Sequence, residues 1–257
     1  AVATHTSTHA NIEQRLHWAD DGKHKNALLD HILTTREVEQ ALVFTSTQRD
    51  ADWLADPAGY QIPLYVADMV TLLARLDAQE LHWVGTSMGG LIGIALAGQA
   101  SSPIHQLVLN DVGPRLGPLA IARIASYVGQ PVSFGTLDEA IDYQSVTAAP
   151  FGLKTREDWR ELVKPTMHQV DGRYVVRYDP AIVMPFKSVT PQAAAAGEAA
   201  TWALYDRITA RTLLVRGAQS DLLTHEPAAE MATRGPRPQM EEVPDVGHAP
   251  PFMPANE

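Results

Sequence analysis

The sequence predicts an α/β protein, a mostly parallel sheet flanked by helices and carrying an inserted helical cap, and three observations lead there. The run Leu81-His82-Trp83-Val84 passes through a glycine-rich turn into the apolar stretch Leu91 to Ala97, which is the strand-turn-helix order of an α/β unit. Leu107-Val108-Leu109-Asn110 and Leu213-Leu214-Val215-Arg216 have the length and apolar character of buried parallel strands, and Met240 to Val243 reads as a last one. Between Gly113 and Ala203, prolines from Pro114 to Pro191 punctuate short helical stretches with little strand alternation. The expected division is therefore a core of residues 1–115 and 203–257, interrupted by a cap of residues 116–202.

The elements ahead of the glycine-rich turn are read in order. Arg15-Leu16-His17-Trp18 running into Asp20-Asp21-Gly22 suggests a short early strand and turn. Ala27-Leu28-Leu29 and Ala41-Leu42-Val43-Phe44-Thr45 suit buried strands, with helix left open for the first. From Pro63 a helix is expected, since proline fits a first helical turn and Val66, Met69, Val70, Leu73 and Leu76 recur at helical spacing. Within the cap, Gln192 to Ala200 is alanine-rich and predicts a small exposed helix of high propensity.

Composition narrows the classes of function. A chain of 257 residues can bury a single large core, and its 45% hydrophobic content is that of an ordinary globular protein. The absence of cysteine excludes disulfides, thiolate metal sites and cysteine nucleophiles. A net charge of -10 opposes binding to nucleic acid, which needs clustered Lys and Arg. No apolar run approaches the ~20 residues of a membrane span, and the Ala1-Val2-Ala3-Thr4-His5 start carries no signal-like pattern. The expectation is a cytoplasmic protein that acts on a small molecule and is compatible with a homo-oligomer. The ten histidines show no spacing suggestive of a metal cluster, so neither a metal nor another cofactor is expected.

The chemistry concentrates at Gly85-Thr86-Ser87-Met88-Gly89, a G-x-S-x-G match entered by a strand and left by a helix. A nucleophile on such a turn sits in strained backbone, and glycines two residues to either side are expected to prevent clashes. Ser87 would then lie at a helix N-terminus, where the Met88 amide can face a developing oxyanion. A serine hydroxyl needs a base, and His248, in a turn after the last strand candidate, lies late in the chain as the order nucleophile, acid, histidine requires. The acid should follow a strand end. Asp221, beyond Leu213 to Arg216, is preferred, and Asp111, directly after Leu107 to Asn110, is the alternative. Asp245 is too close to His248 in sequence to approach it from another strand.

With these residues the sequence resembles the α/β-hydrolase family, and more narrowly its bacterial esterase-like members with a helical cap. The matching segments are Asp52 to Tyr60, Val84 to Gly90, Leu109-Asn110-Asp111-Val112-Gly113-Pro114, Leu214 to Asp221 and Gly247-His248. The resemblance implies Ser87, Asp221 and His248 as a triad. It also implies a second oxyanion amide after an early strand, where such enzymes carry His-Gly. This chain has His31-Ile32, so the Ile32 amide is the expected donor and a β-branched residue stands in place of glycine. Family members also carry a helix after the histidine loop, whereas Glu257 lies nine residues beyond His248.

The function these features imply is hydrolysis of a small carboxylic ester through an acyl-enzyme on Ser87. Acyl transfer or carbon-carbon bond hydrolysis on the same triad are the enzymatic alternatives, and a non-catalytic ligand-binding relative is the alternative of another class. A serine at this turn argues against the members that attack with aspartate. Phe134, Phe151, Trp159, Met167, Met184 and Phe186 are candidates to line a pocket under the cap, although ordinary packing is the better explanation for each, since such side chains are commonly buried.

Overall fold

The computed structural model describes residues 59–76 and 80–252. Strand candidates before residue 59, and the Ile32 position, lie outside the described residues. Helix α1 (Ile62–Leu76) starts one residue before Pro63 and turns Ile62, Tyr65, Val66, Met69 and Leu73 toward the core. Strand β1 (Leu81–Thr86) leads through Ser87 into α2 (Met88–Ala97), which is apolar throughout and correspondingly buried at Gly90, Ile92, Gly93, Ile94, Leu96 and Ala97. Strands β2 (Ile104–Asn110), β6 (Arg211–Gly217) and β7 (Gln239–Val243) complete a four-stranded parallel sheet in the order β1-β2-β6-β7.

Register decides what this sheet presents. Thr86 pairs with Asn110 and Asn110 with Val215, so three adjacent strands end at one level. The residues that follow those strands crowd a single edge, the carboxyl edge at which open α/β sheets place their ligands. Below it, Ile94, Leu96, Leu107, Leu109 and Leu214 pack with Tyr205 and Met231, the last from α8 (His225–Thr233).

Between β2 and β6 the chain makes a long excursion. It contains α3 (Pro118–Tyr127), β3 (Ser133–Phe134), α4 (Leu137–Thr147), α5 (Arg156–Val163), β4 (Met167–Val170), β5 (Arg173–Val176), α6 (Met184–Ser188) and α7 (Pro191–Tyr205). The insertion is helical for most of its length, as expected, and adds a small three-stranded antiparallel sheet, β3-β5-β4, that the sequence reading did not anticipate. Its driving signal is Asp171-Gly172, both at positive φ (49° and 75°), which close a two-residue hairpin between the paired Val170 and Arg173. Ile141, Trp159 and Val163 form a second apolar cluster with Met167 and Val176 of this sheet, and Phe134 and Phe151 lie on its margin. Phe134, Phe151, Trp159 and Met167 therefore serve packing of the insertion itself. The start of α7 is exposed as its alanine content suggests, but Trp202 and Tyr205 at its far end enter the main core, where Gly98 meets the Leu204 backbone.

Candidate active site

Ser87 stands between β1 and α2 with φ 52° and ψ -121°, a backbone conformation that L-residues rarely adopt. Such a turn exposes the hydroxyl above the sheet edge while the Ser87 N–H still donates to the Asn110 carbonyl (3.1 Å). The turn closes only because Gly85 lacks a side chain. A Cβ there would lie 2.4 Å from the Gly89 carbonyl oxygen and 2.6 Å from the Gly90 Cα. The expectation that Gly89 serves the same purpose is not met, for a Cβ at that position meets nothing within 4 Å. Gly90 is the tight position, since its Cβ would lie 2.3 Å from Val112 Cγ1. Met88 opens α2, and amides in a first helical turn have no acceptor within their helix.

His248 is 6% exposed and faces Ser87, its Nε2 lying 3.0 Å from Ser87 Oγ. Its Nδ1 lies 2.7 Å from Oδ2 of Asp111, which is fully buried. A carboxylate can only accept, so Nδ1 carries the proton and Nε2 is left to accept from the Ser87 hydroxyl. The remaining lone pairs of Asp111 are also used. Oδ1 accepts from the Gly217 amide (2.9 Å), and Oδ2 accepts from the Ser220 hydroxyl (2.6 Å). Asp111 itself takes φ 54°, which turns its side chain back across the strand ends.

The structure brings Asp111 to His248 and leaves Asp221 elsewhere, which corrects the expected choice of acid. Asp221 forms a two-pronged pair with Arg123 of α3 (2.9 and 2.8 Å), and its side chain is 43% exposed. The Arg123 guanidinium holds the Asp221 carboxyl below the usual carboxylate range. The physical reason is register. Asp111 follows β2 in the middle of the sheet and its amide donates to the Val215 carbonyl (2.7 Å), so its side chain is level with Gly217. Asp221 lies beyond a turn that carries it outward to the insertion.

Sequence reasoning missed Ser220. Its hydroxyl donates to Asp111 and accepts from the amides of Leu222 (3.3 Å) and Leu223 (3.1 Å), so it ties the Asp111 carboxylate to the loop after β6. Buried Arg216 braces the same loop by donating to the Leu223 carbonyl (2.8 Å), and pairs with Glu242 of β7. A serine beside a preferred aspartate gives no local signal of this role. Among the described residues no group of three or more His, Asp or Glu side chains is arranged to hold a metal ion, and no helix is long and apolar enough to cross a membrane.

Comparison with known proteins agrees with this architecture. The model of the alpha/beta hydrolase family matches residues 41–257, and the chain belongs to that family. It is 51% identical over 207 residues to a 3-hydroxybutyrate-oligomer hydrolase of Cupriavidus necator, the alignment covering 79% of this chain and 71% of that protein. Among solved structures, it is similar to an alpha/beta hydrolase of Novosphingobium aromaticivorans (34% identity, TM-score 0.67, 76% of this chain and 68% of that one). A hydrolase of Rickettsia typhi is also similar (29% identity, TM-score 0.66), where the match covers 76% of this chain and 65% of the other. The chain thus spans about two thirds of the length of these structural relatives.

Proposed function

We propose that this protein hydrolyses small carboxylic esters through an acyl-enzyme on Ser87, with His248 as general base and Asp111 as the acid that orients it. The observation that carries the reading is the unbroken line from Ser87 Oγ through His248 to Asp111, at 3.0 and 2.7 Å. Ser87 Oγ attacks the ester carbonyl as His248 Nε2 takes its proton, and Asp111 stabilises the resulting imidazolium. The Met88 amide, aided by the N-terminus of α2, faces the negative oxygen of the tetrahedral intermediate. His248 then returns the proton to the departing alcohol. Water attacks the Ser87 ester as His248 again accepts a proton, and His248 returns that proton to Ser87 Oγ as the acyl–oxygen bond breaks, releasing the carboxylic acid and restoring the serine.

The substrate class we favour is a short oligoester of a hydroxy acid. Support comes from the Cupriavidus necator relative, whose name is that of a 3-hydroxybutyrate-oligomer hydrolase, at 51% identity. The test is labelling by a fluorophosphonate, followed by turnover of 3-hydroxybutyrate dimer and trimer. The parent protein should be labelled at Ser87 and release monomer, whereas Ser87→Ala should do neither while keeping its fold and thermal midpoint. Activity of Ser87→Ala within tenfold of the parent, or labelling at another serine, would sink the acyl-enzyme reading.

A further inference from the structure

We infer that Asn110 is a positioning residue that fixes the His248 loop against the Ser87 turn; this rests on the acyl-enzyme reading above. Its side chain is 1% exposed, yet the carboxamide is polar and takes no part in the proton path. Nδ2 donates to the Pro250 carbonyl (2.8 Å) and to Thr86 Oγ1 (3.0 Å). The orientation of the amide is forced, because the Pro250 carbonyl can only accept. Pro250 lies two residues after His248, and Thr86 immediately precedes Ser87. The Asn110 carbonyl accepts the Ser87 N–H, and the next residue is Asp111. One side chain and its own backbone thus tie together the three chain segments that carry nucleophile, acid and base.

The tether has a geometric task. His248 must keep Nε2 at Ser87 and Nδ1 at Asp111 together, and a loop rotation that improves one contact loses the other. On the N-terminal side of His248 the loop is held by the Gly247 amide on the Pro150 carbonyl (2.6 Å) and by the Val246 carbonyl, which accepts from the Gln219 amide (2.8 Å). On the C-terminal side the Asn110 amide supplies the matching hold at Pro250. Packing alone does not account for an amide here. Its Oδ1 is buried without a partner among the described residues, a cost that an apolar side chain of the same size would avoid.

The experiment compares the parent with Asn110→Ala, Asn110→Leu and Thr86→Val. It measures kcat and KM for p-nitrophenyl butyrate, fluorophosphonate labelling of Ser87, and the deshielded Nδ1–H proton resonance of His248. With the fold intact by circular dichroism, Asn110→Ala should lower kcat on the order of 100-fold, the effect of misplacing a catalytic group by ~1 Å, and change KM less than about threefold. The His248 resonance should broaden or shift. Thr86→Val keeps the Pro250 tether and should lose less than about tenfold in kcat. A folded Asn110→Ala with parental kcat and an unmoved resonance would overturn the inference. If the alanine variant unfolds, Asn110→Leu, which fills the same space without donors, decides in the same way; unfolding of both would make Asn110 a folding residue and overturn the inference too. A parent protein that takes no label at Ser87 would instead overturn the acyl-enzyme reading, which separates the two failures.

Discussion

The sharpest perturbation is Asp111→Asn, because the three donors that meet this carboxylate dictate how an amide must sit. If the new NH2 took the place of Oδ1 it would face the Gly217 N–H, a backbone donor that cannot turn away. The NH2 is therefore expected at the Oδ2 position, opposite His248 Nδ1 and the Ser220 hydroxyl. Ser220 has its lone pairs engaged by the Leu222 and Leu223 amides, so the imidazole is the partner that yields. Its proton moves to Nε2, and a protonated Nε2 cannot accept from Ser87. Locking a triad histidine in the wrong tautomer costs on the order of 10,000-fold in kcat, which corresponds to about 5.5 kcal/mol of transition-state stabilisation. Asp221→Asn removes a part-exposed charge that is already paired with Arg123. Its effect should stay below about 1 kcal/mol, or roughly fivefold in rate. Initial rates of p-nitrophenyl butyrate hydrolysis, with circular dichroism as the check on folding, give both numbers. Equal losses in the two variants, or Asp111→Asn within tenfold of the parent, would refute the assignment of the acid.

The nucleophile turn and the Arg123–Asp221 pair give two further expectations. Gly85→Ala places a methyl group against immobile backbone at 2.4 Å and should destabilise by at least the upper end of the ~1–3 kcal/mol typical of overpacking. Gly89→Ala meets open space within α2 and should leave the thermal midpoint unchanged or raise it, so a severe loss at Gly89 would contradict the geometry. Arg123 depresses the Asp221 carboxyl in the folded state, so the stability this pair contributes is complete above the unfolded value of ~3.9 and is lost as pH falls through the lower folded value. The unfolding free energies of the parent and Asp221→Asn should therefore differ by no more than about 1 kcal/mol at pH 7 and converge in acid. A gap that widens on acidification would reverse the sign.

What the sequence determined by itself is what depends on near neighbours. The β1-turn-α2 unit was legible because a strand, a glycine-flanked serine and an apolar helix follow one another without a break, and Ser87 does occupy that turn. The helix after Pro63 and strands β2, β6 and β7 were legible from the apolar spacing of their own residues. The hairpin at Asp171-Gly172 was equally local, and a reading guided by proline density passed over it. The partner of His248 was of another kind. Asp111 and Asp221 both lie between Ser87 and His248 and both follow a strand, so neither chain order nor local pattern separates them. The choice rests on the pairing of Asn110 with Val215, which brings residues 111 and 217 to one level, and on a turn that sends Asp221 out to Arg123. The same holds for Ser220 and Asn110, whose roles consist of hydrogen bonds spanning 109 and 140 residues. Sheet register is a property of several strands together, and only the tertiary structure fixes which polar side chains it brings into contact.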